Sequence, residues 1–296
     1  MCTPQGAGAL ESLARNALVL VRGASCATAA QALLFAPAVG ALAAAAPSYL
    51  GDRALFVLGT LLVHELLYFG GHAAAQRLER AAAAAEGQGP KGKGGWAARC
   101  KLPRRPAQRP SSALVAGAMR RAALSHLALQ PLALWLCFGA FGVRNDRADP
   151  LPTVLLHLAA CQLAECTLFF LSHRLLHTSF LYTRLHKVHH EFKGTVSVAA
   201  EHAHPVEQLL GNYLPVLLAP ALLQVSLPTW LTWLAWRLLA TYERHSGFDF
   251  SATALGRLGL LHGDGARYHD HHHMVNKGNY GSGLDFFDVL CGTRVY

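Results

Sequence analysis

Four apolar runs in the sequence are each close to the roughly 20 residues that a helix needs to cross a bilayer. They lie at about 27–50, 54–75, 122–143 and 151–172. Only 15% of the residues are charged, against about 25% in soluble domains. Because a helix satisfies its own backbone hydrogen bonds inside lipid, these runs predict an all-α, multi-pass transmembrane helical bundle.

A fifth apolar stretch, at about 208–240, is interrupted by Pro215, Pro220 and Pro228. Proline removes a backbone donor and ends or kinks a helix. This stretch therefore predicts a helical hairpin that enters and returns, or a re-entrant element.

The formal net charge is +9, and most of the excess lies in residues 77–109, where nine Lys or Arg face Glu79 and Glu86. This pattern is typical of a cytosolic loop beside the membrane. A nucleic-acid partner is not predicted, since no aromatic platform or basic helix accompanies the charge. Within this stretch, the low-complexity residues 81–95 predict a mobile connector.

Three spaced histidine clusters constrain the chemistry of the chain: His173-x3-His177, His186-x2-His189-His190 and His269-x2-His272-His273, with His204 and His245 between them. Helical residues four apart share a face and can bind one ion together, whereas an HxxHH run directs its third imidazole to an adjacent site. One metal rarely takes more than six ligands, so eight to ten gathered imidazoles predict two metals.

The predicted topology brings these clusters to one side of the membrane. With residues 76–111 in the cytosol, the run 151–172 returns there and delivers His173. We expect the helix to continue to about residue 190, with a bend near Thr178 and Ser179. The hairpin then crosses and returns, and residues 262–296 fold back with the last cluster. The sequence thus predicts a cytosolic, histidine-rich dimetal cap on the bundle.

Iron suits such a site better than zinc, because it changes oxidation state while oxygen occupies an open position. A substrate delivered from lipid is apolar, so the pattern favours O2-dependent oxidation of a C–H bond. The nearest zinc-protease motif starts at His64-Glu65 but ends on Tyr68 where HExxH requires histidine. The isolated His64, His72, His126 and His157 are interpreted as bundle or interfacial histidines.

Several longer motifs carry a family resemblance. The strings are HRLLHTSFLYTRLHKVHHEF (173–192), AEHAHPVE (200–207), YERHSGFDF (242–250) and YHDHHHM (268–274), with GNY (278–280) and GT (292–293). The chain resembles the fatty acid hydroxylase/sterol desaturase superfamily over about 115–296, and its motifs most resemble those of C-4 methylsterol monooxygenases.

The resemblance implies an endoplasmic-reticulum enzyme with two Fe ions, which oxidises the C-4 methyl group of a methylsterol with O2 in the sterol biosynthesis pathway. Electrons would come from NAD(P)H through a reductase and cytochrome b5. Residues 1–111 would form N-terminal membrane helices and a basic linker, and residues 112–296 the catalytic domain. The implied metal ligands are His173, His177, His186, His189, His190, His204, His245, His269, His272 and His273.

Three acidic residues are expected to support the ligands: Glu165, Glu243 and Asp270. Glu243 and Asp270 either accept an imidazole N–H or are ordinary solvated charges. His271 stands where relatives carry an aromatic residue, so it is not expected to bind metal. The sequence departs from the family upstream of the first cluster, where Cys166 replaces an acid and Phe169 a polar group.

Two alternatives remain open at the level of sequence. Another lipid oxidase of the superfamily, such as a sterol desaturase or fatty acyl hydroxylase, would need only a different pocket. A non-catalytic, lipid-binding relative with structural metals is favoured by the departures at Cys166 and Phe169.

Overall fold

The structure is a computed structural model that describes residues 4–45, 51–86, 95–141, 149–257, 265–282 and 284–295. Over these residues the chain forms α-helices, joined by short 3₁₀ and π-helical segments, and no β-strand. The helices are α1 (Pro4–Ala30), α2 (Ala36–Ala45), α3 (Asp52–Glu86), α4 (Trp96–Cys100), α5 (Ser112–Leu124), α6 (Gln130–Phe141), α7 (Leu151–Leu176), α8 (Ser179–Arg184), α9 (Pro205–Glu207), α10 (Leu214–Leu223), α11 (Leu227–Arg244), α12 (Ala254–Arg257), α13 (Gly265–Val275) and α14 (Phe286–Leu290).

Five helical segments of the described chain are long and apolar enough to cross a membrane: Leu10–Ala38, Asp52–Ala85, Pro106–Gly139, Leu151–Leu176 and Pro205–Leu223. Their outward faces carry exposed leucines such as Leu66, Leu127 and Leu156. Lipid solvates such side chains as well as a protein core does. The multi-pass helical architecture predicted from the sequence is therefore confirmed.

The first span and the connector differ from their predicted positions. The first span begins at Leu10, well before the predicted start at residue 27, and residues 46–50 lie outside the described residues. Residues 81–86 of the predicted connector continue α3 because alanine has the highest helix propensity. Residues 87–94 and 142–148, which hold the rest of the connector and most of the predicted lumenal turn, also lie outside the described residues.

The proline-interrupted stretch forms the predicted hairpin. Pro228 lies in the first turn of α11, where a missing N–H costs nothing. Pro215 lies where the π-helical segment Gln208–Tyr213 continues into α10. Gln224, with φ of 49°, makes the left-handed turn between the two helices. Helix α11 is buried in the centre of the bundle, where Trp230 donates to the Thr60 hydroxyl over 2.8 Å and Trp233 to the Val216 carbonyl over 2.9 Å. The tryptophans of α11 are therefore core residues.

The expected long helix through residue 190 is wrong. Helix α7 ends at Leu176, and the short helix α8 follows after a turn at His177 and Thr178. A separate 3₁₀ segment, His186–Glu191, then carries the second histidine cluster. The Thr178 hydroxyl donates to the Leu175 carbonyl over 2.8 Å, a local bond that competes with continued helix.

The C-terminal part folds back over the bundle, as predicted, and the buried Asp288 fixes it. Its carboxylate accepts hydrogen bonds from the backbone N–H groups of Tyr280 (2.9 Å) and Gly281 (2.7 Å). It also accepts from the hydroxyls of Thr293 (2.7 Å) and Tyr268. Asp288 therefore joins helix α13 to the loop that follows it.

The N-terminal part contacts this layer at two points. Asp285 accepts hydrogen bonds from Ser12 and Asn16 of α1, each over 2.8 Å. Arg104 of the basic stretch pairs with Asp270 of α13 over 2.6 Å and donates to the Thr195 carbonyl over 2.9 Å. The predicted boundary at residue 111 stays a prediction.

Candidate metal centre

Nine of the ten predicted histidine ligands gather in one buried layer at the ends of the helices. They come from the end of α7, the 3₁₀ segment His186–Glu191, the residue after α11, and α13. They form two groups, and within each group the candidate ligand atoms lie within 4.8 Å of one another. The first group is His173, His177, His186, His190 and His272, and the second is His189, His245, His269 and His273.

Each HxxHH run contributes to both groups. In the middle run, His186 and His190 join the first group and His189 joins the second. In the last run the roles are reversed, since His269 and His273 join the second group and His272 the first. The two groups are adjacent, with the ring centroids of His190 and His273 4.8 Å apart.

The distances between the facing nitrogens suit shared coordination. In the first group, Nε2 atoms are 3.0 Å apart for His177 and His186, and 3.1 Å apart for His190 and His272. In the second, Nε2 of His269 lies 3.0 Å from that of His245. Two imidazole nitrogens bound at right angles, about 2.1 Å from one ion, lie about 3 Å apart.

The outer nitrogens of the rings are held by the protein. Since a carbonyl oxygen can only accept, Nδ1 of these rings must donate, which leaves the Nε2 lone pair for a metal. The bonds run from His173 to the Tyr280 carbonyl (2.9 Å), His272 to Gly278 (2.7 Å), His273 to Phe192 (3.0 Å), His189 to His202 (3.2 Å) and His245 to Thr241 (2.9 Å).

Burial keeps these imidazoles neutral. Removal from water lowers the pKa of His177 to about 3 and that of His245 to about 4. Burial, reinforced by neighbouring imidazoles, also holds the pKa below the ordinary value for His186, His189, His190, His269, His272 and His273. Neutral, converging nitrogens are the form in which histidine binds iron or zinc, so the residues present fit two metal ions.

Three other predicted or neighbouring histidines lie outside both groups. His204 precedes α9, where its Nδ1 accepts from the backbone N–H of Val206 over 3.2 Å. His202 pairs through Nε2 with Glu191 over 2.8 Å, and its carbonyl holds His189. His271 points away from the groups and lines a cavity beside Arg267 and Met274.

The three acidic residues predicted to support the ligands lie in different surroundings. Glu165 accepts from Arg237 Nε over 2.7 Å and from the Ser282 hydroxyl over 2.9 Å. Asp270 is engaged by Arg104 and by the backbone N–H of Thr195 over 2.8 Å. Glu243 is buried near the end of α11, two residues before His245.

The carboxylate that supports an imidazole is Glu207, which the sequence reasoning missed. Its Oε1 accepts from Nδ1 of His186 over 2.7 Å, and both residues are buried. The signal that could have found it is its place in AHPVE, three residues after a histidine candidate. A carboxylate in this position orients the ring and raises its basicity toward a metal.

The metal centre opens toward an apolar cavity. A small cavity of about 40 Å³ lies among His173, His186, His189, His245 and His269. A second cavity of about 530 Å³ is lined mainly by apolar side chains, among them eight leucines. Four residues line both cavities: Ala200, Asn212, Arg237 and Thr241. The apolar cavity therefore adjoins the metal centre at this polar junction.

The two departures from the family motif also lie here. Phe169 packs against His173, with ring centroids 5.1 Å apart. The Arg237 guanidinium lies over the Phe169 ring, 5.8 Å from its centroid. Cys166 Sγ accepts from Gln162 over 2.9 Å. Both residues thus pack beside the ligands without entering either group.

Comparison with known proteins agrees with this geometry. Residues 158–293 match the fatty acid hydroxylase family, and they span all nine gathered histidines. The resemblance to this superfamily predicted from the motifs is therefore confirmed over these residues. No solved structure matches the chain at a significant level.

The similarity to methylsterol monooxygenases predicted from the motifs is also confirmed. The chain is 38% identical to rat methylsterol monooxygenase 1 over 138 residues, 46% of this chain and 45% of that protein. It is 34% identical to Arabidopsis thaliana methylsterol monooxygenase 2-2 over 168 residues, 55% of this chain and 61% of that protein. Rice very-long-chain aldehyde decarbonylase GL1-11 is 34% identical over 180 residues, 58% and 66% of the two chains. The chain spans about half the length of the first of these relatives.

Proposed function

We propose that the protein is a membrane oxygenase with two Fe ions that oxidises the C-4 methyl group of a methylsterol with O2. The observation that carries this proposal is the juxtaposition of nine neutral imidazoles, in two groups, with an apolar cavity open toward lipid-facing helices. The similarity to methylsterol monooxygenases supports the substrate class.

The protein's own residues would prepare the site in three ways. The gathered imidazoles would hold the two ions, and the carbonyls that accept from Nδ1 would fix each ring so that Nε2 faces inward. Glu207 would raise the donor strength of His186. When bound, iron supplies the electron transfer needed to activate O2, which no protein side chain provides.

The cavity suits an apolar molecule with one polar group near the reacting carbon. Apolar side chains line most of its wall, whereas Asn212, Arg237 and Thr241 lie at its junction with the metal centre. In a 4-methylsterol, the ring carbon that bears the methyl group is adjacent to the carbon that bears the 3-hydroxyl. A sterol could therefore place its ring system among the leucines and its hydroxyl at the polar junction.

The proposed location is the endoplasmic-reticulum membrane, with the metal centre toward the cytosol. Arg104 ties the basic stretch to Asp270, the residue after the ligand His269, so both lie on the same side of the membrane. The positive-inside rule then favours the cytosolic side. Electrons would come from cytochrome b5 and its NAD(P)H-dependent reductase.

The test is the oxidation of 4-methylsterol by the purified full chain in lipid nanodiscs with Fe(II), a b5/reductase system and NADPH. We expect O2 consumption that depends on both reductant and sterol, with a 4-hydroxymethyl or 4-carboxyl product. Activity on a very-long-chain aldehyde or fatty acyl chain but not on the sterol would replace this substrate by that of another relative. No reductant-dependent O2 consumption with any of these lipids would leave only the non-catalytic alternative.

A further inference from the structure

A second cluster of metal-binding residues lies inside the bundle, apart from the nine gathered imidazoles. It consists of His64 and Glu65 of α3, His126 at the start of the π-helical segment before α6, and Glu201. His64 and His126 are each only 4% exposed. In the sequence both look like isolated bundle histidines, and the proposed oxygenase reaction uses neither of them.

The four side chains form a closed ring of alternating imidazole and carboxylate. Glu65 lies 3.2 Å from Nδ1 of His64 and 3.1 Å from Nδ1 of His126. Glu201 lies 3.2 Å from Nε2 of His64 and 2.6 Å from Nε2 of His126. Because an ionised carboxylate only accepts hydrogen bonds, both Nδ1 atoms donate to Glu65.

This assignment leaves two Nε2 atoms facing one carboxylate. If they carry lone pairs, the lone pairs and the anion repel one another unless a cation lies between them. If they carry protons, two imidazolium rings 4.7 Å apart lie between the two carboxylates, and protons fill the ring. A single divalent ion between the two Nε2 atoms and Glu201 would satisfy the same groups with neutral rings.

The geometry resembles that of the main centre. The centroid distance of 4.7 Å between His64 and His126 equals that between His186 and His190, which share a group there. A carboxylate on Nδ1 with Nε2 directed inward repeats the arrangement of Glu207 and His186. Two imidazoles and one carboxylate with open positions are the donor set that holds ferrous iron in many oxygenases, and zinc accepts it as well.

Two buried tyrosines complete the surroundings. The Tyr242 hydroxyl donates to Glu201 Oε1 over 2.5 Å and so fixes the carboxylate. The Tyr68 ring lies edge-on to His126 at 4.7 Å, and its buried hydroxyl has no hydrogen-bond partner among the described residues. An orphaned buried hydroxyl beside such a donor set indicates a group that completes the site.

We propose that Nε2 of His64, Nε2 of His126 and the carboxylate of Glu201 bind a further divalent first-row transition metal ion, with Glu65 holding both imidazoles through Nδ1. His64 and Glu201 line the apolar cavity of about 530 Å³, so the site lies at its wall. Ala200, the residue before Glu201, lines both this cavity and the main centre. The ion would thus lie beside the route by which a lipid reaches the nine imidazoles.

The test is a metal count that does not depend on activity. The full chain is stripped with chelator in detergent, reloaded with Zn(II), freed of excess by gel filtration, and analysed by mass spectrometry. With three candidate groups, we expect three equivalents for the unmodified chain. We expect two for His126→Ala and for Glu201→Gln, and three for the control His72→Ala on the same helix α3.

A second pair of measurements keeps the result interpretable if a variant folds poorly. The double variant His177→Ala/His189→Ala leaves four and three imidazoles in the two groups of the main centre, and we expect the further change His126→Ala to remove one equivalent from it, as from the unmodified chain. Saturation of the unmodified chain at two equivalents would overturn the inference, because protons then fill the ring. A third equivalent that survives both His126→Ala and Glu201→Gln would also overturn it. Either result leaves the nine-imidazole centre and the proposed oxidation unaffected.

Discussion

The Nε2 atoms of His177 and His272 lie 3.1 Å apart, although 95 residues separate them in the sequence. The turn that ends α7 presents the first, and helix α13 presents the second after the chain has folded back. One ion held between them would therefore join the start and the end of the histidine-rich part of the chain.

Replacement of one gathered imidazole should abolish activity. His189→Ala removes a member of the four-histidine group, which then offers only three. His271→Ala removes an imidazole of the same chain that lies outside both groups. We expect sterol oxidation to be lost in the first variant and largely retained in the second, measured at equal expression in nanodiscs. Equal loss in both would contradict the ligand assignment.

The Glu207 side chain, which contacts His186, should affect metal affinity. Glu207→Gln leaves the shape of the side chain but replaces the carboxyl group that accepts from Nδ1 of His186 by an amide. We expect metal affinity at this group to fall about 10- to 100-fold, measured by competition with a chelator. Glu191→Gln, which changes the half-exposed partner of His202, is the matched control and should leave the affinity unchanged. An unaltered affinity in Glu207→Gln would contradict the role given to this residue.

Loss of the Asp288 carboxylate should loosen the C-terminal layer. Asp288→Asn keeps the volume but reduces the number of acceptors for four donors, and each buried group left without a partner costs about 1–3 kcal/mol. We expect a lower unfolding temperature together with lower metal content, since the Tyr280 carbonyl that holds His173 lies on this loop. Asp285→Asn, which affects the contact with α1, should lower stability without loss of metal.

Acid should destabilise the metal-free protein. The pKa of His245 is about 4 in the folded chain, and that of His177 about 3, whereas an unfolded histidine titrates near 6.5. Stability is therefore complete above about pH 6.5. It falls as the pH drops, because the unfolded state takes up protons that the folded state does not.

Between its unfolded and its folded pKa, each such histidine lowers the free energy of unfolding by about 1.4 kcal/mol per pH unit. Below its folded pKa it lowers the free energy no further. The measurement is the unfolding temperature of chelator-stripped protein between about pH 7 and about pH 4. A constant unfolding temperature over this range would show that the imidazoles are not held neutral.

The apolar cavity should determine access of the substrate. Leu217→Trp places a larger side chain on the cavity wall, whereas Leu222→Trp on the same helix α10 points outward at a position that is 75% exposed. We expect the first variant to lose most of its sterol oxidation at unchanged metal content and the second to remain active. Full activity of Leu217→Trp would place the substrate elsewhere.

Much of this architecture follows from local patterns. Apolar length predicts the helices, and prolines predict the hairpin of α10 and α11, because both effects act on the backbone within a few residues. The HxxHH spacing predicts that each run supplies histidines to two sites. The middle run gives two histidines to the first group and one to the second, and the last run gives one to the first and two to the second.

What could not be predicted depends on contacts between distant segments. The roles of Glu207 and Asp270 depend on which segment lies opposite, and no spacing in the sequence encodes this. His64 and His126, 62 residues apart, look isolated along the chain because each occurs alone on an apolar helix. Their approach exists only after α3 and the segment before α6 pack together around Glu201.

The ion pair between Arg104 and Asp270 affects how the chain can be divided into fragments. A fragment that starts at residue 112 would contain every gathered imidazole but would lack the guanidinium that neutralises Asp270. The helix that donates His269, His272 and His273 would then carry a buried, uncompensated anion at its centre. The segment upstream of residues 112–296 thus contacts the helix that carries these three histidines, and we expect a fragment without it to hold that helix less firmly than the full chain does.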